Sequence, residues 1–427
     1  MAPKPPRQRS QSIMSDISIA PTPGRAGFFG WRVTGAAFTI AVFAWGIGFY
    51  GPPIFLQTLH GTHGWPVALV SAAITTHFLL GAAVVANLAA LHRRFGIVAV
   101  TRAGGLLTAL GLLGWAFARE PWQLFAATLL SGAGWAMTGG AALNAMIAPW
   151  FIRRRPAALA MAFNGASIGG VVFSPLWVVL IAGFGFPLAA LAVALAAVLT
   201  LWVLAGRYLG RDPTAMGQTP DGDDLAATAA GSPALSAAPL AKPWRERRFA
   251  TLAAAATCGL FAQIGLLSQL FSVLVPPLGA PGAGLVMGAV TGLAVGGRTL
   301  LGLTLRPGAD RRRVAIANAV LQASGSLVLL SAGPSVPLLL LGCGLFGLGL
   351  GNTSSLPPLI VQGEFAPADV ARAVALVTAV SQAGYAFAPA AFGLLRELGA
   401  GSGILLFLAA ALIQFLGAGA LLLGRPR

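Results

Sequence analysis

The stretch RYLGRDPTAMGQTPDGDDLAATAAGSPALSAAPLAKPWRERRF, residues 207–249, divides the chain. It carries five of the eleven acids (Asp212, Asp221, Asp223, Asp224 and Glu246) and a middle rich in Gly, Ser, Pro and Ala. That composition describes a flexible linker. On both sides of it the sequence is apolar. Of 427 residues 57% are hydrophobic and 9% charged, against about 25% charged in soluble domains, too few polar groups to cover a globule in water. A helix that crosses a bilayer needs about 20 apolar residues. Six windows qualify before the stretch, at 33–56, 66–91, 97–117, 122–148, 157–181 and 186–206. Six follow it, at 250–275, 284–305, 314–332, 337–361, 370–395 and 402–423. The expectation is an all-α membrane protein of twelve transmembrane helices in two six-helix bundles, 33–206 and 250–424, joined by the linker. Residues 1–32 form a disordered cytoplasmic tail with no apolar run of the signal-peptide kind.

The formal charge of +16 would suggest nucleic acid in a soluble protein. Its distribution says otherwise. With both termini cytoplasmic, 24 of the 27 basic residues fall in cytoplasmic segments; the outer loops hold only Arg119 and Arg396, and Arg298 lies within a window. That asymmetry is the positive-inside pattern of a plasma (inner) membrane protein, and nucleic acid is not a partner. Cys258 and Cys343 sit in different apolar windows and read as buried thiols, without the spacing of a metal site or redox pair. The halves also repeat. Ser167, Gly170, Phe173 and Pro175 match Ser381, Gly384, Phe387 and Pro389 at an offset of 214. LLSGAG (129–134) matches LLLGCG (339–344) at an offset of 210, and Val98–Val100 matches Val314–Ile316 at 216. Nearly constant offsets in corresponding windows mark a duplicated, pseudo-symmetric unit.

With twelve windows, two repeats, a long central linker and cytoplasmic termini, the chain resembles the major facilitator superfamily. Three stretches resemble its monocarboxylate-porter and oxalate/formate-antiporter branch: GWPVALVSAAIT (64–75), PWFIRRRPAALAMAFNGASIGG (149–170) and GGRTLLG (296–302). Departures are visible too. The loop LHRRFG (91–96) lacks the acid usual in the superfamily, and Leu129 stands where drug antiporters carry an arginine. The resemblance implies that the arginine of the eighth window binds a substrate carboxylate. It also implies that the first, fourth, seventh and tenth windows line a central cavity. The acid that proton-coupled porters place one turn earlier is replaced by Ala294, and no second cation lies between Arg372 and Arg396.

All eleven acids lie in tails, loops or helix ends, so no carboxylate relay runs through the bilayer. Arg298 lies about seven residues from the inner end of its window, roughly 10 Å. It either snorkels to cytoplasmic water or waits for an anion, which a guanidinium holds by paired hydrogen bonds. His77, mid-window, is either a packed imidazole or the proton-coupling group. Tyr50, Asn144, Gln269, Asn352, Gln382 and Tyr385 are the polar candidates for substrate contact, each also able to serve interhelical packing. Pro52-Pro53 and Pro357-Pro358 are expected to interrupt their helices. No nucleotide loop, nucleophile–base set, metal site or cofactor motif is present, so the chain is not read as an enzyme. The expectation is a monomeric secondary transporter, in contact with the lipid bilayer, that moves a small organic anion, a monocarboxylate by preference, with coupling open between proton symport through His77, anion exchange and gradient-driven uniport. The rival readings are an efflux carrier for a neutral or amphipathic compound and a non-transporting membrane sensor.

Overall fold

The computed structural model describes residues 28–222, 246–305, 309–399, 401 and 403–424. They are helical, with no strand among the described residues. The first bundle comprises α1 (Gly30–Gly48), α2 (Pro52–His63), α3 (Val67–Phe117), α4 (Pro121–Thr138), α5 (Gly140–Ile147) and α6 (Arg155–Leu204). The second comprises α7 (Arg247–Thr304), α8 (Arg311–Ala332), α9 (Val336–Glu364), α10 (Pro367–Tyr385), α11 (Ala388–Leu398) and α12 (Ile404–Leu423). Eight runs of helix are long and apolar enough to cross a membrane. Three of these contain the 51, 50 and 58 residues of α3, α6 and α7, more than one crossing requires. Each of the three is broken once, by a glycine with positive φ: Gly96 (78°), Gly185 (78°) and Gly279 (69°). Paired with extended ψ, that backbone is open to little but glycine. The breaks fall between the expected windows, so each of the twelve windows meets a helical arm.

The two double prolines behave differently. Pro52 and Pro53 supply no N–H to the preceding turn, and the chain breaks between α1 and α2. There the Tyr50 amide reaches back to the Trp45 carbonyl at 2.8 Å. The Gly46 carbonyl accepts instead from Trp177 Nε1 at 3.0 Å. The expected interruption at Pro357-Pro358 is absent, because α9 runs through both prolines. A proline keeps a helical φ; its missing N–H and the crowding of its ring against the i−4 carbonyl are tolerated in a helix packed among other helices.

The expected linker begins folded. A π-turn (Ala205–Leu209) extends α6, and short 3-10 turns follow at Thr214–Met216 and Pro220–Gly222. Gln218 Oε1 accepts from the Phe29 amide at 3.0 Å. The buried Asp221 carboxylate accepts from the amides of Ile152 (3.2 Å), Arg153 (2.8 Å) and Arg154 (3.1 Å). Residues 207–222 therefore strap the basic end of the first bundle. The rest of the linker through 245, and the tail through residue 27, lie outside the described residues.

Burial shows how the bundles meet. At the end remote from the basic loops one apolar core runs through both, from Phe55, Trp177 and Phe186 to Leu270, Met287 and Phe392. At the basic end it divides into two separate cores, one around Trp150, Phe151 and Leu143 and the other around Leu252, Ile360 and Phe365. The bundles are joined at one end and part toward the basic loops.

Candidate functional site

Arg298 sits where α7 and α9 touch backbone to backbone. A Cβ on Gly297 would fall 2.0 Å from the Leu348 carbonyl oxygen, and one on Gly351 would fall 2.3 Å from that of Ala294. Only glycine permits this approach. It brings the Gly351 carbonyl within 3.2 Å of Arg298 Nε, which donates to it. The guanidinium is half-buried, forms no ion pair among the described residues, and its Nη groups make no hydrogen bond among them. A buried or half-buried cation without a counter-charge is costly. Asn352, the next residue on α9, directs Nδ2 toward the Gly297 carbonyl at 3.5 Å, while its buried Oδ1 has no partner.

The opposite bundle supplies Tyr50, at the break between α1 and α2. Its ring packs on Gly170, and its hydroxyl has the Thr291 side chain of α7 as a hydrogen-bond partner. Thr291 precedes Arg298 by seven residues, about 10 Å along the helix. Tyr50 and Thr291 both meet Gly170, so Tyr50 of the first bundle lies against α7 about two turns before Arg298. Tyr385 has Gln382 as its hydrogen-bond partner and places its ring 6.0 Å from Phe78. Asn144 is half-buried in α5, and its side chain makes no hydrogen bond among the described residues.

His77 is enclosed. It is 1% exposed, its Nδ1 lies 2.8 Å from Ser131 Oγ, and Trp115 Nε1 donates to the same oxygen at 3.3 Å. The ring also meets the Gly48 backbone, at the broken turn of the first window, and Nε2 is buried without a partner.

Gln269 lies away from Arg298, in the seam that closes the far end. It is fully buried, and its Nε2 donates to Ser71 Oγ of the first bundle at 3.0 Å. Two further hydrogen bonds cross the seam. Glu397 Oε1 accepts from the Ala68 amide at 2.8 Å, and Thr75 Oγ1 accepts from the Ala390 amide at 3.0 Å. Those amides belong to the first turns of α3 and α11, whose own flanking residues, Pro66 and Phe387, provide no side-chain cap. First-turn amides have no partner within their helix. Each bundle therefore caps a helix of the other. Sequence reasoning passed over Thr75, Glu397 and Thr291, whose partners lie hundreds of positions away.

The sequence profile of the Major Facilitator Superfamily matches residues 33–389. Monocarboxylate transporter 11 of Mus musculus is 32% identical over 168 residues, covering 38% of this chain and 36% of that protein. Monocarboxylate transporter 13 of Bos taurus is 39% identical over 89 residues, 21% of each. The matched segments thus span well under half of these relatives. Among solved structures, a bacterial homologue of the lysosomal transporter Spinster, inward-facing and occupied, superposes with a TM-score of 0.71 at 14% identity. The superposition covers 93% of this chain and 97% of that one. A D-xylose–proton symporter gives 0.71 at 14% identity, over 92% and 97%. At such identities the likeness is one of fold.

Proposed function

The chain belongs to the Major Facilitator Superfamily, and we propose that it is a secondary transporter carrying a small organic monocarboxylate by alternating access. The observation that carries the reading is Arg298: a half-buried guanidinium without an ion pair among the described residues, about two turns along α7 from the point where Tyr50 of the other bundle meets Thr291 at Gly170. A carboxylate at Arg298 takes charge-assisted bonds from the Nη groups, and a substrate that also reaches Tyr50 touches both bundles at once. Asn352, Gln382 with Tyr385, and Asn144 complete the polar lining. One fixed positive charge matches a monoanion. The monocarboxylate transporters among its relatives support the same substrate class.

The bundles part on the basic side, which the positive-inside pattern assigns to the cytoplasm, an assignment that makes both termini cytoplasmic. The seam at Ser71, Thr75 and Glu397 is then the closed outer gate. The unpartnered Nε2 of His77 is the atom a coupled proton would occupy, beside the hinge of the first window. Arg298→Gln is expected to abolish carboxylate uptake in proteoliposomes while the protein remains folded and monodisperse; normal uptake by that variant rejects the reading. His77→Gln tests coupling separately: a wild-type pH dependence of uptake excludes the histidine.

A further inference from the structure

The seam holds a second cation. Arg396 is half-buried on α11 beside Glu397, yet Glu397 is occupied with the Ala68 amide of the opposite bundle. The partner of Arg396 among the described residues is a neutral amide: Nη1 donates to Gln269 Oε1 at 3.4 Å, a long bond for a charged donor. Arg119, the other basic residue of this end, is exposed and fully hydrated. Arg396 is instead held at the junction of the bundles with an incomplete set of partners, and a half-enclosed charge in that condition favours a counter-ion.

The partition of the network between bundles gives this charge a use. Arg396 and Gln269 both belong to the second bundle, so they stay together when the bundles separate at this end. Ser71, which holds Gln269 Nε2 at 3.0 Å, belongs to the first bundle and leaves. Opening the seam therefore frees an amide donor beside a guanidinium, two groups that together suit a carboxylate. We propose that Arg396 and Gln269 form an outer anion site that receives the carboxylate before it passes to Arg298, and that Ser71 closes this site when the gate shuts. The proposal rests on the monocarboxylate reading above.

The test uses the full chain and a panel of monocarboxylates from acetate to benzoate. The member that most raises the melting temperature of detergent-solubilised wild type serves as the labelled probe. Uptake from the external side is then measured in intact cells. Arg396→Gln is expected to raise the KM for external probe about tenfold at low ionic strength with kcat retained, and the gap should shrink at high salt as screening shortens the reach of the charge. Arg396→Lys should restore most of the affinity. The same probe should still stabilise purified Arg396→Gln, since that measurement reads the Arg298 site. An unchanged external KM in a folded Arg396→Gln, while Arg298→Gln is inactive, overturns the outer site alone. Normal uptake by Arg298→Gln, or a panel in which no member stabilises the wild type, overturns the monocarboxylate reading and the outer site with it.

Discussion

Removal of the crossed caps should open the seam. Thr75 Oγ1 and Glu397 Oε1 each satisfy a first-turn amide of the opposite bundle, at 3.0 and 2.8 Å, and both bonds exist only while this end is closed. Loss of a helix cap costs about 1 kcal/mol, within a range of roughly 0.5–2, and a carboxylate near a helix N-terminus adds a few tenths through the helix dipole. Thr75→Val preserves shape and removes the acceptor; Glu397→Leu removes both the acceptor and the charge. The pair should weaken the closed state by about 2 kcal/mol, a shift of roughly 30-fold toward the state open at this end. Spin labels on Gly61→Cys and Leu398→Cys report the gap, since both positions are exposed and Gly61 has open space around its Cβ. The native thiols are replaced as Cys258→Ser and Cys343→Ala. Distance distributions from pulsed electron resonance should lengthen in the double variant, with each single variant between. A distribution identical to the parent, in protein that melts normally, would refute the assignment of these bonds to a conformational latch.

Gly297→Val should cut the yield of monodisperse protein severalfold, because its Cβ would meet the Leu348 carbonyl at 2.0 Å and backbone cannot step aside; size-exclusion chromatography reads this. Glu364→Ala removes the carboxylate that takes Arg312 Nε at 2.6 Å and Nη2 at 2.9 Å. Arg312 is 2% exposed, so stranding it should cost about 3 kcal/mol, seen as a fall in melting temperature. Asp221→Ala should release the 152–154 amides and speed tryptic cleavage after Arg153 and Arg154 in micelles about fivefold or more, with wild-type rates counting against the strap. Exchange should outpace net flux: external carboxylate is expected to accelerate efflux of labelled carboxylate at least tenfold, since the empty carrier would otherwise move an unpaired Arg298.

The residues that face lipid were legible because a bilayer admits no alternative to long apolar helices, and Arg298 was legible as the basic residue deepest inside a window, Arg102 and Arg372 lying closer to window ends. The breaks at Gly96, Gly185 and Gly279 were not separable from sequence, since 56 glycines serve close packing and reversal alike. Pro52 and Pro357 look the same as letters. The first ends a helix where Trp177 recovers a freed carbonyl, and the second continues one. Asp221 was hidden by its setting, a carboxylate in a stretch whose composition describes a flexible tether. Gln269 reads as cavity lining because its window faces the cavity by resemblance. Its placement in the seam depends on Ser71, nearly 200 positions away, and no local pattern carries such a pairing.

The alanine at 294 decides what kind of carrier Arg298 serves. Positions 294 and 298 share a face of α7, four residues apart, and the resemblance to proton-coupled porters would set an acid at the first. Ala294 is 1% exposed and packed against α9 beside Gly351, so a carboxylate there would be buried, and within reach of the guanidinium it would neutralise it. A carrier built that way closes over its empty site without an unpaired charge, and a proton on the acid releases the arginine for substrate. In this chain the compensation for Arg298 is the Gly351 carbonyl and whatever water the parted bundles admit. Closing the cleft removes the water and leaves the charge. If the proposed carboxylate is the transported anion, its occupancy at Arg298 supplies the missing counter-charge of the occluded state, and reorientation follows that occupancy rather than protonation of a neighbouring carboxylate.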